Sequence, residues 1–233
     1  MPEVAMLAQL GWLLYNNKYW SAIKTFTAFR TYIRPGVLDN MRVKSLVAPE
    51  SSEAAGFPQW GFVLNPSQDF IPGKTGIYEA SVLWDSDLWL APVFAHLIQN
   101  RPAEHILFPV SATQSIDDFN QSAGDLGLAP LRPCRYGYRH GGASEDLRRQ
   151  RRSQLNVKGR GHWTSDSSLR RYAKETALLA EVNKLPKSTL DYGERIRVSL
   201  QDLLLCRCKA PAPPVVIGAM PIQGERRQRR KLA

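Results

Sequence analysis

Three cysteines, Cys134, Cys206 and Cys208, are all that 233 residues contain. That is too few for a disulfide framework, and Cys206 and Cys208 lack the second ligand pair a zinc site takes. A reducing compartment, cytosol or nucleus, fits this usage. No run of about 18 apolar residues occurs, which argues against a membrane-spanning helix. The N-terminal stretch MPEVAMLAQLGWLLYNN places Glu3 where a secretory leader carries basic residues. His96 and His105 have no partners at metal-ligand spacing. The turn PGKTG (residues 72–76) suggests a phosphate loop, but that motif needs a glycine at position 68, which is Gln68.

What is present is a globular composition, 43% hydrophobic and 22% charged, with a net charge of +10. The charge is unevenly placed. Residues 131–172 carry eleven Lys/Arg against three Asp/Glu, and residues 221–233 carry five against one. The remainder is slightly acidic. Two concentrated blocks favour a localised polyanion-binding surface, although either block alone reads equally as a solvated charged face.

Apolar residues recur at helical spacing at Met6, Leu7, Leu10, Leu13 and Leu14, and again at Ile23, Phe26, Phe29 and Ile33. Asn16-Asn17 separates these two helices and Pro35-Gly36 ends the second. A short strand is expected over Arg42–Val47. Gln59–Leu64 and Ala80–Trp84 alternate as strands of a hairpin with Lys74 at its tip. Helices follow over Leu88–Gln99, Ser115–Leu126 (with Asp117 and Asp118 in its first turn), Tyr138–Arg149, Gln154–Arg160 and Ser167–Ala180. The fold class expected is α+β, mostly α, with one small antiparallel β-sheet. The proline-, glycine- and arginine-rich end reads as a tail. Its run Arg226–Lys231 is a nuclear localisation signal, a DNA arm or disordered charge.

The stretch YGYRHGGASEDLRRQRRSQLNVKGRGHWTSDSSLRRY, residues 136–172, holds an Arg139-His140 pair, Trp163 and Tyr172 inside the basic block. Upstream stand Arg34, followed by Pro35, and Lys74 in its glycine-flanked turn. In this order, and with nine residues from Trp163 to Tyr172, the chain resembles the catalytic domain of the tyrosine recombinase (phage integrase) family, in the form found in eukaryotic mobile elements. The resemblance runs from about residue 5 to about residue 185 and implies the helical fold of that domain. It divides the chain into a catalytic domain (1–185), a helical or extended segment (186–208) and a basic disordered tail (209–233).

The resemblance implies a chemistry. Arg34 and Arg139 hold the non-bridging oxygens of a phosphodiester with planar, paired hydrogen bonds. Trp163 adds its indole N–H. Lys74 protonates the leaving 5′-hydroxyl, and Tyr172 attacks phosphorus to form a 3′-phosphotyrosyl link. The expected DNA contacts are His140, Arg148, Arg149, Arg151, Arg152, Lys158, Arg160, His162, Arg170 and Arg171. The implied partners are double-stranded DNA and further copies of the chain on paired sites, with no metal, cofactor, small-molecule ligand or membrane. The localisation expected is nuclear in a eukaryote and cytoplasmic otherwise.

Three features depart from the family. Tyr136 stands three residues before Arg139, where a histidine or lysine normally accepts the nucleophile's proton. A phenol with a pKa of about 10 is a poor base at neutral pH, and His140 and His162 are the candidates to compensate. Val37 replaces an acidic residue that often orients the first arginine. No N-terminal clamp domain precedes the pattern, so a fragment, a truncated gene or a decayed element is expected. A DNA-binding remnant without turnover and a type IB topoisomerase-like enzyme are the alternative readings. Taken singly, Arg34 is a capping arginine, Lys74 a solvated turn lysine, and Trp163 and Tyr172 core aromatics. Tyr136, Tyr138 and Tyr192 are rival nucleophiles, none of them nine residues after a Trp or His that lies beyond Arg139.

Overall fold

The sequence of α1, Glu3–Tyr15, is apolar on nearly every side, and residues 3–13 are buried throughout. A helix apolar all round belongs at the centre of a fold rather than at its surface, and this one is packed by α2 (Tyr19–Thr31), α5 (Ala112–Asp125), α6 (Tyr136–Arg148) and α9 (Lys187–Leu204). In the computed structural model residues 1–49, 58–64, 80–165 and 175–216 are described, except for the side chains of 175–178. Between α2 and α5 lie α3 (Pro35–Asn40), β1 (Leu46–Val47), β2 (Gly61–Leu64), β3 (Ala80–Leu83) and α4 (Ala91–Ile98). After α6 come α7 (Gln154–Arg160) and α8 (Glu175–Val182).

The architecture is mostly helical with one antiparallel sheet of order β1-β2-β3, as the periodicities imply. Leu46 pairs with Phe62 and Phe62 with Val82, so the inward side chains of the three strands share one face. That face meets an aromatic cluster in which Trp84 and Phe94 lie edge to face at 4.9 Å, and Phe62 and Phe94 at 5.6 Å. The hairpin tip with Lys74 lies outside the described residues.

Several boundaries move. The expected strand over Arg42–Val47 is a 3-10 turn at Val43–Ser45 with only Leu46–Val47 paired to β2. The helix expected from Ser115 begins at Ala112, because the Ser111 hydroxyl accepts the Gln114 N–H at 3.0 Å and caps the new end. Asp117 and Asp118 therefore fall in the second turn, not the first. Asp118 is buried, accepting from Ser21 at 2.5 Å and from Gln114 at 2.6 Å. Likewise α6 starts at Tyr136, two residues early, and Leu88–Leu90 is a 3-10 turn ahead of α4. Of Ser167–Ala180, residues 167–174 lie outside the described residues and helix runs from Glu175.

The segment 186–208 is mainly a helix, α9, whose Tyr192, Ile196, Leu200, Leu203 and Leu204 are buried in the same core as α1. The two helices approach closely. A Cβ at Gly11 would stand 2.5 Å from Ile196, and one at Gly193 would stand 2.3 Å from the Val4 carbonyl oxygen. Residues 209–216, expected in the tail, run back along the body. Tyr192 donates to the Pro211 carbonyl at 2.9 Å, and Val216 lies beside Gly127. Residues 217–233 lie outside the described residues.

Candidate functional site

The end of α2 sets the first arginine. Tyr32 closes that helix in the left-handed conformation (φ 57°), and Arg34 is extended (φ −64°, ψ 138°), as a residue before proline must be. Pro35 then opens α3 at its first turn, where a missing N–H costs nothing. Arg34 is thus a helix-flanking residue, and its side chain is half-buried.

The second arginine comes from α6, which lies against α2 because Gly142 leaves room. A Cβ there would stand 1.9 Å from the Phe29 carbonyl oxygen. Arg139 is 3% exposed. One terminal nitrogen donates to the Tyr32 carbonyl, two residues before Arg34, and the other to the Gly161 carbonyl, two residues before Trp163. The guanidinium carbon also sits 4.6 Å from the Trp163 ring centroid. Tyr32 also stacks on Trp163, with ring centroids 6.1 Å apart, and donates its hydroxyl to Asp146 at 2.5 Å. Burial, then the Asp146 charge, pushes the Tyr32 phenol far above its usual range, so it stays a donor. Arg139 therefore ties the end of α2, two residues before Arg34, to the turn that carries Trp163.

His162 lies between the two residues Arg139 holds. The turn that ends α7 bonds the His162 N–H to Gly159 at 2.9 Å and the Trp163 N–H to Lys158 at 3.1 Å, which places His162 in the left-handed region (φ 49°). Its Nε2 is buried and meets no hydrogen-bond partner among the described residues. Burial, followed by the Arg139 and Arg34 guanidiniums, holds the imidazole below its ordinary value.

Other expected site residues are placed differently. Tyr136, 39% exposed at the first residue of α6, lies edge-on to His140 with ring centroids 4.7 Å apart. Lys74, Arg170, Arg171 and Tyr172 lie outside the described residues. The acidic residue absent at position 37 has a neighbour in Asp39, but its carboxylate is taken by Arg135 and by Lys24, at 2.5 and 2.6 Å.

The basic run is largely engaged within the protein. Arg152 grips Asp85 through both terminal nitrogens, at 2.5 and 2.6 Å, and Asp146 at 2.8 Å. Arg160 is buried, bonding Asp85 at 3.1 Å and the Arg30 and Leu83 carbonyls at 3.0 and 2.9 Å. Arg148 and Arg149 both pair with Glu145. Glu3, buried in the first turn of α1, receives Arg30 and Arg149 at 3.1 Å, Arg197 at 2.5 Å and Arg151 at 3.6 Å. Arg152 and Arg160 thus act as internal struts, whereas Arg148, Arg149 and Arg151 keep more than a third of their side-chain surface in water. Sequence reasoning missed Tyr32, Asp85, Asp146 and Glu3, whose roles depend on contacts across more than 60 residues. Nothing in their local sequence distinguishes them.

Among the described residues no cluster of His, Cys, Asp or Glu is arranged to hold a metal, and no helix is long and apolar enough to cross a membrane. No family model matches the chain, and no curated protein matches it.

Proposed function

We propose that the chain is a DNA-binding protein of the tyrosine recombinase class, which breaks and rejoins duplex DNA in recombination or integration of a mobile element. The observation that carries this reading is the Arg139 bridge. One buried guanidinium ties the backbone beside Arg34 to the backbone beside Trp163 and stacks on that tryptophan. Such a bridge fixes the backbone around it, as a preorganised site requires. In this reading the two arginines and the Trp163 indole N–H serve a phosphate in its transition state, where fixed donors are worth about 3–4 kcal/mol each.

In this mechanism the Tyr172 oxygen attacks phosphorus, its proton passing to an acceptor of the site. The P–O5′ bond breaks as Lys74 supplies the proton to the leaving oxygen. The 3′-phosphotyrosyl ester stores the bond energy for rejoining, and the reversed steps restore the tyrosine. Copies of the chain act together on paired sites.

A second reading, a DNA-binding remnant of such an element, is favoured by two observations. Both terminal nitrogens of Arg139 already donate to carbonyls, and Tyr136 offers a phenol in place of a base. A nicked duplex that traps covalent adducts separates the two. The enzyme reading expects a protein–DNA adduct that Tyr172→Phe abolishes. Duplex binding without any adduct leaves the remnant, and an adduct that survives Tyr172→Phe removes Tyr172 as nucleophile. Relaxation of supercoiled plasmid without paired sites points instead to a topoisomerase-like activity.

A further inference from the structure

His162 combines three properties that a purely structural residue does not need. It occupies the left-handed position closing a helix, where glycine or asparagine is the usual choice and a larger side chain is mildly strained. Its chain neighbours on both sides are held by Arg139, Gly161 through its carbonyl and Trp163 through its ring. Its Nε2 is buried and has no hydrogen-bond partner among the described residues, an unfavourable state for a polar atom. The turn is therefore locked around a nitrogen that bonds nothing among the described residues.

Among the described residues, the charges acting on that imidazole are of one sign. Arg139 comes from α6 and Arg34 from the start of α3, and both oppose a proton on the imidazole. On its own turn, Arg160 is directed to Asp85. Among the described residues no carboxylate counters these cations at His162. An anion seated beside His162, where both cations act, would reverse the balance by screening them and giving Nε2–H an acceptor oxygen.

We propose that His162 is a third anion-binding group of the Arg34–Arg139 corner, neutral in the free protein and converted to imidazolium when a phosphate oxygen seats beside it. The site then takes up one proton with its ligand. Binding strengthens as pH falls and weakens as pH rises, by at most about tenfold per unit for one linked proton. This deepens the phosphodiester reading above and rests on it for the identity of the anion. His162 is here a binding residue, and the transfer of the Tyr172 proton is a separate matter.

The test uses the full chain labelled with ¹⁵N, following the imidazole nitrogens of its four histidines against pH, with His162 assigned by His162→Gln. Two ligands that do not titrate near neutrality are added at constant ionic strength set with chloride: sulfate, and a short DNA duplex. The expected result is an upward shift of the His162 midpoint of about one unit, absent in Arg34→Gln, with His96 and His105 unmoved. In Arg34→Gln the free-protein midpoint rises, because one opposing cation is gone. A midpoint that neither ligand moves, or that chloride moves equally, overturns the inference. If the duplex binds without moving His162, the inference falls and the DNA reading stands. If sulfate moves His162 and no duplex binds, the anion site stands and the DNA reading falls.

Discussion

Arg139 holds the turn that carries Trp163 at two points. The guanidinium lies 4.6 Å from the indole ring centroid, and the same guanidinium bonds the carbonyl of Gly161 just ahead of that tryptophan. A single side chain on α6 thereby fixes both the position and the tilt of the α7 turn, while its other nitrogen holds the end of α2. Only a planar fork with several donors can do both, which is why lysine is no substitute here.

Arg139→Lys should cost about 3 kcal/mol of stability, since one ammonium cannot reach both carbonyls and a buried acceptor is stranded. Urea unfolding of the two proteins at pH 7 measures it. A variant as stable as the parent means the bridge is not a strut.

Glu3 makes the protein sensitive to acid. Burial pushes its carboxyl up, but the Arg197 hydrogen bond and the charges of Arg30, Arg197 and Arg151 outweigh burial and hold it at about 2. Its folded value is depressed, so its contribution is present above the unfolded value of about 4.3 and is lost as pH falls from there toward 2. Glu3→Gln should cost roughly 2–3 kcal/mol at pH 7, and the difference should close near pH 2. Thermal or denaturant melts across that range show whether the two curves converge.

Two glycines should respond oppositely to alanine. At Gly142 the new Cβ would meet the Phe29 carbonyl oxygen at 1.9 Å, forcing α6 away from α2, whereas at Gly159 on α7 nothing lies within 4 Å. Gly142→Ala should lose about 2 kcal/mol or more. Gly159→Ala should gain about 0.5–1 kcal/mol from reduced unfolded-state entropy. Paired chemical denaturation decides it, and equal effects would mean that α6 and α2 are not in close contact.

The basic block should divide by its partners. Arg148→Gln removes a charge that is 42% exposed, and should lower the salt dependence of duplex binding by roughly one phosphate contact, a slope change of about 0.9. Arg152→Gln should leave that slope alone and cost stability instead, because its charge is committed to Asp85 and Asp146. Affinity measured against salt for both variants distinguishes them. Identical slope changes would show that Arg152 leaves its carboxylates for DNA.

The central helix, the α2 helix, the β2–β3 pair and the helical character of α4 to α7 were legible because each follows from a local rule: apolar spacing, strand alternation, or a Pro-Gly or Asn-Asn break. The misplaced ends have local causes as well, such as the Ser111 cap that starts α5 three residues early. The long α9 was left between helix and extended chain, since its apolar stripe acquires meaning only against α1.

By itself the sequence determined the mostly helical class, the one small sheet, the concentration of positive charge in residues 131–172, and the order Arg34, Arg139, Trp163 along the chain. Only the tertiary structure decided which charges are available. Whether an arginine faces solvent or a carboxylate depends on residues far along the chain, as Arg152 and Arg160 depend on Asp85, and Arg149 and Arg197 on Glu3. Charge is a property of composition, but its pairing is a property of packing, and no local pattern reports a partner more than 60 residues away. The same holds for the corner itself. Arg139 meets Tyr32, Gly161 and Trp163 because glycines let α6 pack against α2, a condition that operates between elements rather than along one.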